Sequence, residues 1–319
     1  MTINSYISSV GHYLPSKIVT NFDLEQILDT TDEWIVQRTG IKQRHLVADG
    51  EYSSDMAYNA AKTALENSQL TKEDIDLIIV ATTTPDNTFP STATKVQAKL
   101  GITKGAAFDI QAVCTGFIYA LTVADNFIKT GQANNVIVIG VDSMSKIVDW
   151  NDRSTCILFG DGAGALILSK TNEATGIIAS KIESDGNYGN LLYTDGGVCL
   201  NKTAGIVKMN GRELLRHAVD KMATTTLNLL TQHNLTIDNV NYLVPHQANI
   251  RILSGVAKKM DFPEDKVIIT IDKHANTSAA SIPLAIAAEH SKFKKNDLIA
   301  LTAFGGGLTW GSSLLKWNI

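Results

Sequence analysis

Two kinds of apolar segment alternate along the chain. Short, nearly continuous Ile/Val/Leu runs occur at DLIIV (76–80), NVIVIGV (135–141), YLV (242–244) and DLIALTA (297–303). Between them lie longer stretches with apolar residues at helical spacing, such as DMAYNAAKTALENSQ (55–69) and LLRHAVDKMATTTLNLLTQHN (214–234). A strand apolar at successive positions has no polar face to show to water, so it belongs in a parallel or mixed sheet covered on both sides. Helices between such strands supply the cover, and the pattern predicts an α/β protein.

The pattern also repeats. LTKEDIDLIIV at 70–80 and LTIDNVNYLV at 235–244 both run from Leu-Thr through a polar turn into a strand, at an offset of 165 residues. Val136 and Leu298 open equivalent strands at an offset of 162, and the difference is one small loop change. Ordered matches at nearly one offset predict a duplicated fold, with halves at 1–172 and 173–319. No Pro/Ser/Gly-rich linker separates them, so the halves are expected to pack as one body.

Composition narrows the classes. The 319 residues are 44% hydrophobic and 19% charged, with a formal charge of −4, which describes a globular protein and argues against general nucleic-acid binding. MTINSYISSV has neither a basic nor a long apolar region, so no signal peptide is expected, and no run is long enough for a membrane span. The three cysteines, Cys114, Cys156 and Cys199, lack CxxC spacing. That fits a reducing cytoplasm and argues against a disulfide framework or a zinc site.

FDIQAVCTGFIYAL (108–121) places Cys114 between a β-prone run and an apolar helix. Read alone, the thiol is either buried filler or a nucleophile. The repeat offset moves Cys114 onto Asn276 in HANTSAASIPLA, and puts His246 at the end of the LVP strand. Both Cys114 and Asn276 are therefore expected after a strand and before a helix, with Pro283 in the helix's first turn. Ligands of open α/β sheets bind beyond the carboxyl ends of the strands, where these three groups fall. A thiol at a helix N-terminus is expected to favour its thiolate. A neutral imidazole and a carboxamide can each donate to a developing oxyanion. The set suits acyl transfer through a thioester. Gly305-Gly306-Gly307, after a buried strand, let backbone N–H groups approach a substrate, although a flexible turn is the plain alternative.

AVCTGF, VPHQAN, HANTSAAS and AFGGGLTWGS, in this order, with DEWIVQRTGI near the start and GDGAGA at 160–165, resemble β-ketoacyl-ACP synthase III of the thiolase superfamily. The resemblance covers essentially the whole chain. It implies a thiolase-like five-layered αβαβα fold and a homodimer. The activity it implies is acyltransfer that initiates type II fatty-acid synthesis: an acyl-CoA primer acylates Cys114, malonyl-ACP loses CO2, and 3-oxoacyl-ACP forms. Cys114, His246 and Asn276 match the family triad, and the Cys114 and Gly306 N–H groups its oxyanion hole. By the same resemblance Trp34, Arg38, Arg153 and Asn249 contact CoA. Phe159 and Phe304 line the acyl pocket, into which the partner subunit inserts a residue resembling Phe89. No metal or cofactor is implied, acyl-CoA being a substrate. Read alone, Trp34 is equally an ordinary half-buried anchor, and Phe89 a loop residue covering the core.

NIRILSGVAKKM puts Arg251, Lys258 and Lys259 on one side of a helix just after His246. With Arg216, and Arg212 beside it, they form a basic face for acidic acyl carrier protein, or an ordinary solvated helix face. Arg212, Ala275 and Leu308 depart from the family's common Asn, Gly and Phe. GDGAGA also fits a dinucleotide loop after a strand at Thr155–Phe159, but Leu166–Ser169 is too short and β-like for the required helix. The glycines are read as a tight turn between strands. A specialised synthase using CoA thioesters is a runner-up. A thiolase lacks its second cysteine here, and a non-catalytic carrier-binding module would not need the triad.

Overall fold

The structure is a computed structural model describing residues 3–319. Nine strands form its two main sheets. The first comprises β1 (Asn4–Tyr13), β2 (Leu77–Ala81), β3 (Ala106–Ile110), β4 (Asn135–Ser143) and β5 (Asp161–Thr171), in the order β1-β5-β4-β2-β3. The second comprises β6 (Gly176–Ser184), β7 (Tyr242–Pro245), β8 (Leu298–Gly305) and β9 (Thr309–Lys316), in the order β7-β8-β9-β6. Pairing from β2 through β4 and β5 to β1 is parallel, antiparallel, antiparallel. From β7 through β8 and β9 to β6 it is the same. Where β3 flanks β2, the second sheet has only a single parallel bridge between Leu243 and Val267.

The apolar runs are explained by what each strand face touches. Leu77, Ile79 and Ala81 of β2 pack with Val136 and Val138 toward the middle of the molecule, against α3 (Gly116–Lys129) and α6 (Ser281–Glu289). Ile78 and Val80, pointing the other way, pack against Ala57, Ala60 and Ala64 of α2 (Ser53–Glu66). The second sheet repeats this scheme. Ile299 and Leu301 face the central helices, while Leu298 and Ala300 meet α4 (Gly211–Gln232) and α5 (Ile250–Met260) on the outside. The layers are thus helix, sheet, helix, sheet, helix, with the central strands of both sheets buried on both faces. Asp32–Thr39 forms α1. Among the described residues no helix is long and apolar enough to cross a membrane.

The sequence reading of GDGAGA requires correction. Thr155–Phe159 is not a strand but turns ending in one bridge, and Asp161–Ala165 lies inside β5 rather than in a turn. The reason is packing of a central helix. A Cβ on Gly164 would lie 2.6 Å from the Leu284 nitrogen and the Pro283 carbonyl carbon. Only glycine lets α6 lie this close to the sheet.

Candidate active site

Cys114 and His246 are each delivered by the end of a core strand. β3 leads into a 3-10 turn, Val113–Thr115, immediately ahead of α3. Val113 adopts φ 49°, a left-handed conformation that is unfavourable for a β-branched residue. Neighbouring contacts hold it there. Thr115 Oγ1 donates to the Thr309 carbonyl at 3.1 Å, and Thr309 Oγ1 donates to the Ala112 carbonyl at 3.1 Å. These bonds fasten the cysteine turn to the glycine loop. A Cβ on Gly305 would sit 2.9 Å from the Cys114 nitrogen, so this close approach needs glycine.

His246 follows β7, and its backbone N–H donates to the Thr302 carbonyl at 2.8 Å. Its Nδ1 lies 2.6 Å from Ser281 Oγ, which also accepts from the Gln247 N–H at 3.3 Å. Asn276 does not follow a strand as the offset predicts. It follows the short helix Ile271–His274 and makes a single bridge with Phe159. The bridge anchors its backbone on both sides: Asn276 N–H donates to Leu158 at 2.9 Å, and Gly160 N–H donates to the Asn276 carbonyl at 3.1 Å. The side-chain Oδ1 accepts from the Ser278 N–H at 2.9 Å. That bond commits the amide oxygen and leaves Nδ2 as the free donor.

Cys114, His246 and Asn276 line one cavity of about 120 Å³, together with Phe159, Phe304 and Asn249. Its wall is otherwise apolar, from Leu192, Met209, Leu214 and Ile252. Burial in this setting governs the charge states. It pushes the Cys114 thiol up to about 12, with the buried Asp142 carboxylate adding to the rise. The expected resting thiolate is therefore corrected: loss of water outweighs the favourable helix end. Burial likewise holds His246 down to about 3, so its ring is neutral.

Asp142, which sequence reasoning missed, is buried at the carboxyl end of β4. Its Oδ1 accepts from the Thr83 N–H at 2.7 Å, and its Oδ2 from the Ala279 N–H at 3.2 Å. It ties the loop after β2 to the turn after Asn276. A lone acid ending the apolar run NVIVIGVD was the available signal. Ser278, Ser281, Thr115 and Thr309 were also missed, although all four lie within the quoted motifs.

Of the CoA candidates, Trp34, Arg38 and Arg153 lie outside this cavity, whereas Asn249 lines it. Trp34 and Arg38 lie on α1, with the Arg38 guanidinium 4.2 Å from the indole centroid. Arg153, from the turn before β5, is 5.1 Å from the same ring and also donates to the Asp29 carbonyl. Asn249 caps α5, accepting from the Arg251 N–H at 2.9 Å. Gly306 is buried in the glycine loop. Phe89 is 84% exposed, so it does not cover the core of its own protomer. Arg216, Arg251, Lys258 and Lys259 are exposed, and Lys259 is paired with Asp220. Among the described residues, no group of three or more His, Cys, Asp or Glu side chains is placed to hold a metal ion.

Comparison with known proteins places these features in a family. A family model described as 3-Oxoacyl-[acyl-carrier-protein (ACP)] synthase III matches residues 108–186, and its C-terminal counterpart matches 230–317. A Beta-ketoacyl-[acyl-carrier-protein] synthase III of Ehrlichia canis is 56% identical over 315 residues, covering 98% of this chain and 99% of the relative. One of Rhodospirillum centenum is 50% identical over 323 residues, covering 99% and 100%. Among solved structures, 3-oxoacyl-[acyl-carrier-protein] synthase III from Aquifex aeolicus superposes with a TM-score of 0.94 at 47% identity, covering 98% of this chain and 100% of that one. The priming β-ketosynthase of the R1128 polyketide pathway also reaches 0.94, at 29% identity and 99% and 97% coverage.

Proposed function

The chain belongs to the 3-oxoacyl-[acyl-carrier-protein] synthase III family, and from that premise we propose that the cavity around Cys114 performs both half-reactions of a decarboxylative condensation. The enzyme is an acyltransferase. It joins an acyl-CoA primer to malonyl-ACP, releasing CoA and CO2, and so initiates type II fatty-acid synthesis. The observation that carries the assignment of roles is the shared cavity: one thiol and two neutral donors meet in an otherwise apolar space.

In the first half-reaction Cys114 Sγ attacks the thioester carbonyl. Because the thiol is protonated at rest, its proton leaves only as the carbon–sulfur bond forms, and overall it ends on the departing CoA sulfur. The Cys114 and Gly306 N–H groups hold the oxyanion, assisted by the positive end of α3. In the second, malonyl-ACP loses CO2, and the enolate oxygen is held by His246 Nε2–H and Asn276 Nδ2–H. With Ser281 donating to Nδ1, the neutral ring keeps its hydrogen on Nε2. The enolate carbon attacks the acyl-Cys114 carbonyl, and collapse expels the Cys114 thiolate, which takes a proton from solvent. No cofactor enters either step.

Trp34, Arg38, Arg153 and Asn249 form the CoA subsite in this reading, with adenine taking the place Arg153 now holds beside the indole. Arg251, Lys258 and Arg216 receive acidic acyl carrier protein, with Lys259 contributing less because Asp220 neutralises it. A cavity of about 120 Å³ suits a short primer such as acetyl-CoA. A homodimer is supported by β3, whose outer edge is unpaired in its own sheet, and by the exposure of Phe89. The matching pairing patterns support two duplicated halves, 1–172 and 173–319, and the cysteine usage a cytoplasmic setting.

Intact-mass measurement after incubation with acetyl-CoA tests the reading. One acetyl group on Cys114 is expected, absent in Cys114→Ala. Stoichiometric label on Cys156 or Cys199 would overturn it.

A further inference from the structure

Arg44, in the short strand Gln43–Leu46, is fully buried, yet its hydrogen bonds all go to neutral oxygens. Burial lowers it to about 10, which still leaves it charged at neutral pH. A buried cation is costly to keep, and an apolar side chain would fill the same space more cheaply. What the guanidinium joins gives a reason for its presence. One arm, Nη2, donates to the Ile157 carbonyl at 2.8 Å. The other, Nη1, donates to Asn21 Oδ1 at 2.9 Å and to the Val19 carbonyl at 3.3 Å.

Both arms lead to segments that carry side chains stacked around Trp34. Ile157 lies four residues beyond Arg153, in the same run of turns. Asn21 Nδ2 donates to Asp32 Oδ1 at 2.8 Å and to the Ile41 carbonyl at 2.7 Å. Asp32 opens α1, two residues before Trp34, and Ile41 follows that helix. Arg44 therefore spans, through one neutral amide, the segment carrying Arg153 and the helix carrying Trp34 and Arg38. A planar fork can bridge two acceptors in fixed directions, whereas the single ammonium of lysine cannot.

We propose that Arg44 is a positioning residue for CoA recognition: it holds the Arg153 segment and α1 at the separation that lets Trp34 and Arg153 grip an adenine ring. The proposal rests on the adenine reading of Trp34 and Arg153 given above. It places Arg44 outside the chemistry, acting through residues that touch the nucleotide end of the substrate.

The test compares two acyl donors with one thioester but different tails: acetyl-CoA, and acetyl-pantetheine, which has no adenine nucleotide. For Arg44→Lys the KM for acetyl-CoA in the acylation of Cys114 is expected to rise about tenfold, with kcat unchanged. Acylation by acetyl-pantetheine should keep its wild-type kcat/KM. Asn21→Ala, which removes the amide joining Arg44 to Asp32 and Ile41 and keeps the Arg44 bond to Ile157, carries the same expectation should Arg44→Lys fail to fold. Equal losses with both donors would mean a merely structural role and overturn the proposal, as would no loss with either. Trp34→Ala is the control for the underlying reading. If it leaves the acetyl-CoA KM unchanged, the adenine subsite is wrong and the proposal falls with it. If it raises that KM while the Arg44 and Asn21 variants do not, only the role of Arg44 is refuted.

Discussion

Replacing Ser281 with alanine isolates what orients His246. The Nδ1···Oγ distance is 2.6 Å, and both residues are at most 2% exposed. In Ser281→Ala no water reaches Nδ1 easily, so the ring has two poor options. It can leave Nδ1 buried without a partner, at a cost of about 1–3 kcal/mol. It can instead move its hydrogen to Nδ1, which removes the Nε2–H donor from the enolate. One preorganised oxyanion donor is worth on the order of 3 kcal/mol, which caps the loss. At about 1.4 kcal/mol per factor of ten, decarboxylation of malonyl-ACP should slow about 10- to 100-fold. Acylation of Cys114 by acetyl-CoA uses backbone donors and should change less than about threefold. The assay follows acetyl-ACP formation and Cys114 acylation in parallel by mass spectrometry, with thermal melting as a check on folding. Wild-type decarboxylation in a folded Ser281→Ala, or an equal fall in both half-reactions, would refute the orienting role.

Three further outcomes are expected. Because burial holds the Cys114 thiol at about 12, its alkylation by iodoacetamide should rise about tenfold per pH unit through pH 9 without levelling; a plateau near pH 7 would show a resting thiolate. Burial holds His246 at about 3 and His274 at about 4, below the ordinary 6.5. The unfolded chain therefore binds more protons between those values, and stability falls on acidification below 6.5, by about 2 kcal/mol per histidine at pH 5. Asp142 and Asp161, whose carboxyls burial raises, act in the opposite direction, so the informative quantity is the difference between the wild type and His274→Gln. The variant's urea midpoint should fall less from pH 7 to pH 5, and an identical fall would contradict the assignment. Arg251→Glu should slow the malonyl-ACP step at low salt and converge on the wild type at high salt, because exposed charges act mainly on encounter. No low-salt effect on that step would remove α5 as the docking face.

The layered architecture was legible in the sequence because it follows from which residues must avoid water. Runs such as NVIVIGV have no polar face, so helices must cover both sides, and α3 and α2 or α6 and α2 do so. Chain order sufficed to place Cys114 before a helix and His246 after a strand, since each lies within a residue or two of its element. The same local logic failed at GDGAGA and at Asn276. Glycines that look like a turn are accommodated in β5 by a helix from more than a hundred residues away. The position of Asn276 is fixed by a bridge to Phe159 rather than by its own neighbours.

What only the tertiary structure decided is everything set by desolvation and by partners remote in sequence. The cysteine's helix-end position predicts a thiolate, and burial of Cys114 at the apolar cavity reverses that, because losing water costs a thiolate more than a helix end returns. Ser281 beside His246, Asp142 beside Ala279, and Thr309 beside Ala112 are separated by 35, 137 and 197 positions. Arg44 reads in sequence as one more charged residue in a polar stretch. Its burial, and its reach to Asn21 and to Ile157 113 positions away, exist only once two distant segments have packed around it. Hydrophobic periodicity is written residue by residue, whereas a hydrogen bond between distant side chains depends on where the whole core has placed them.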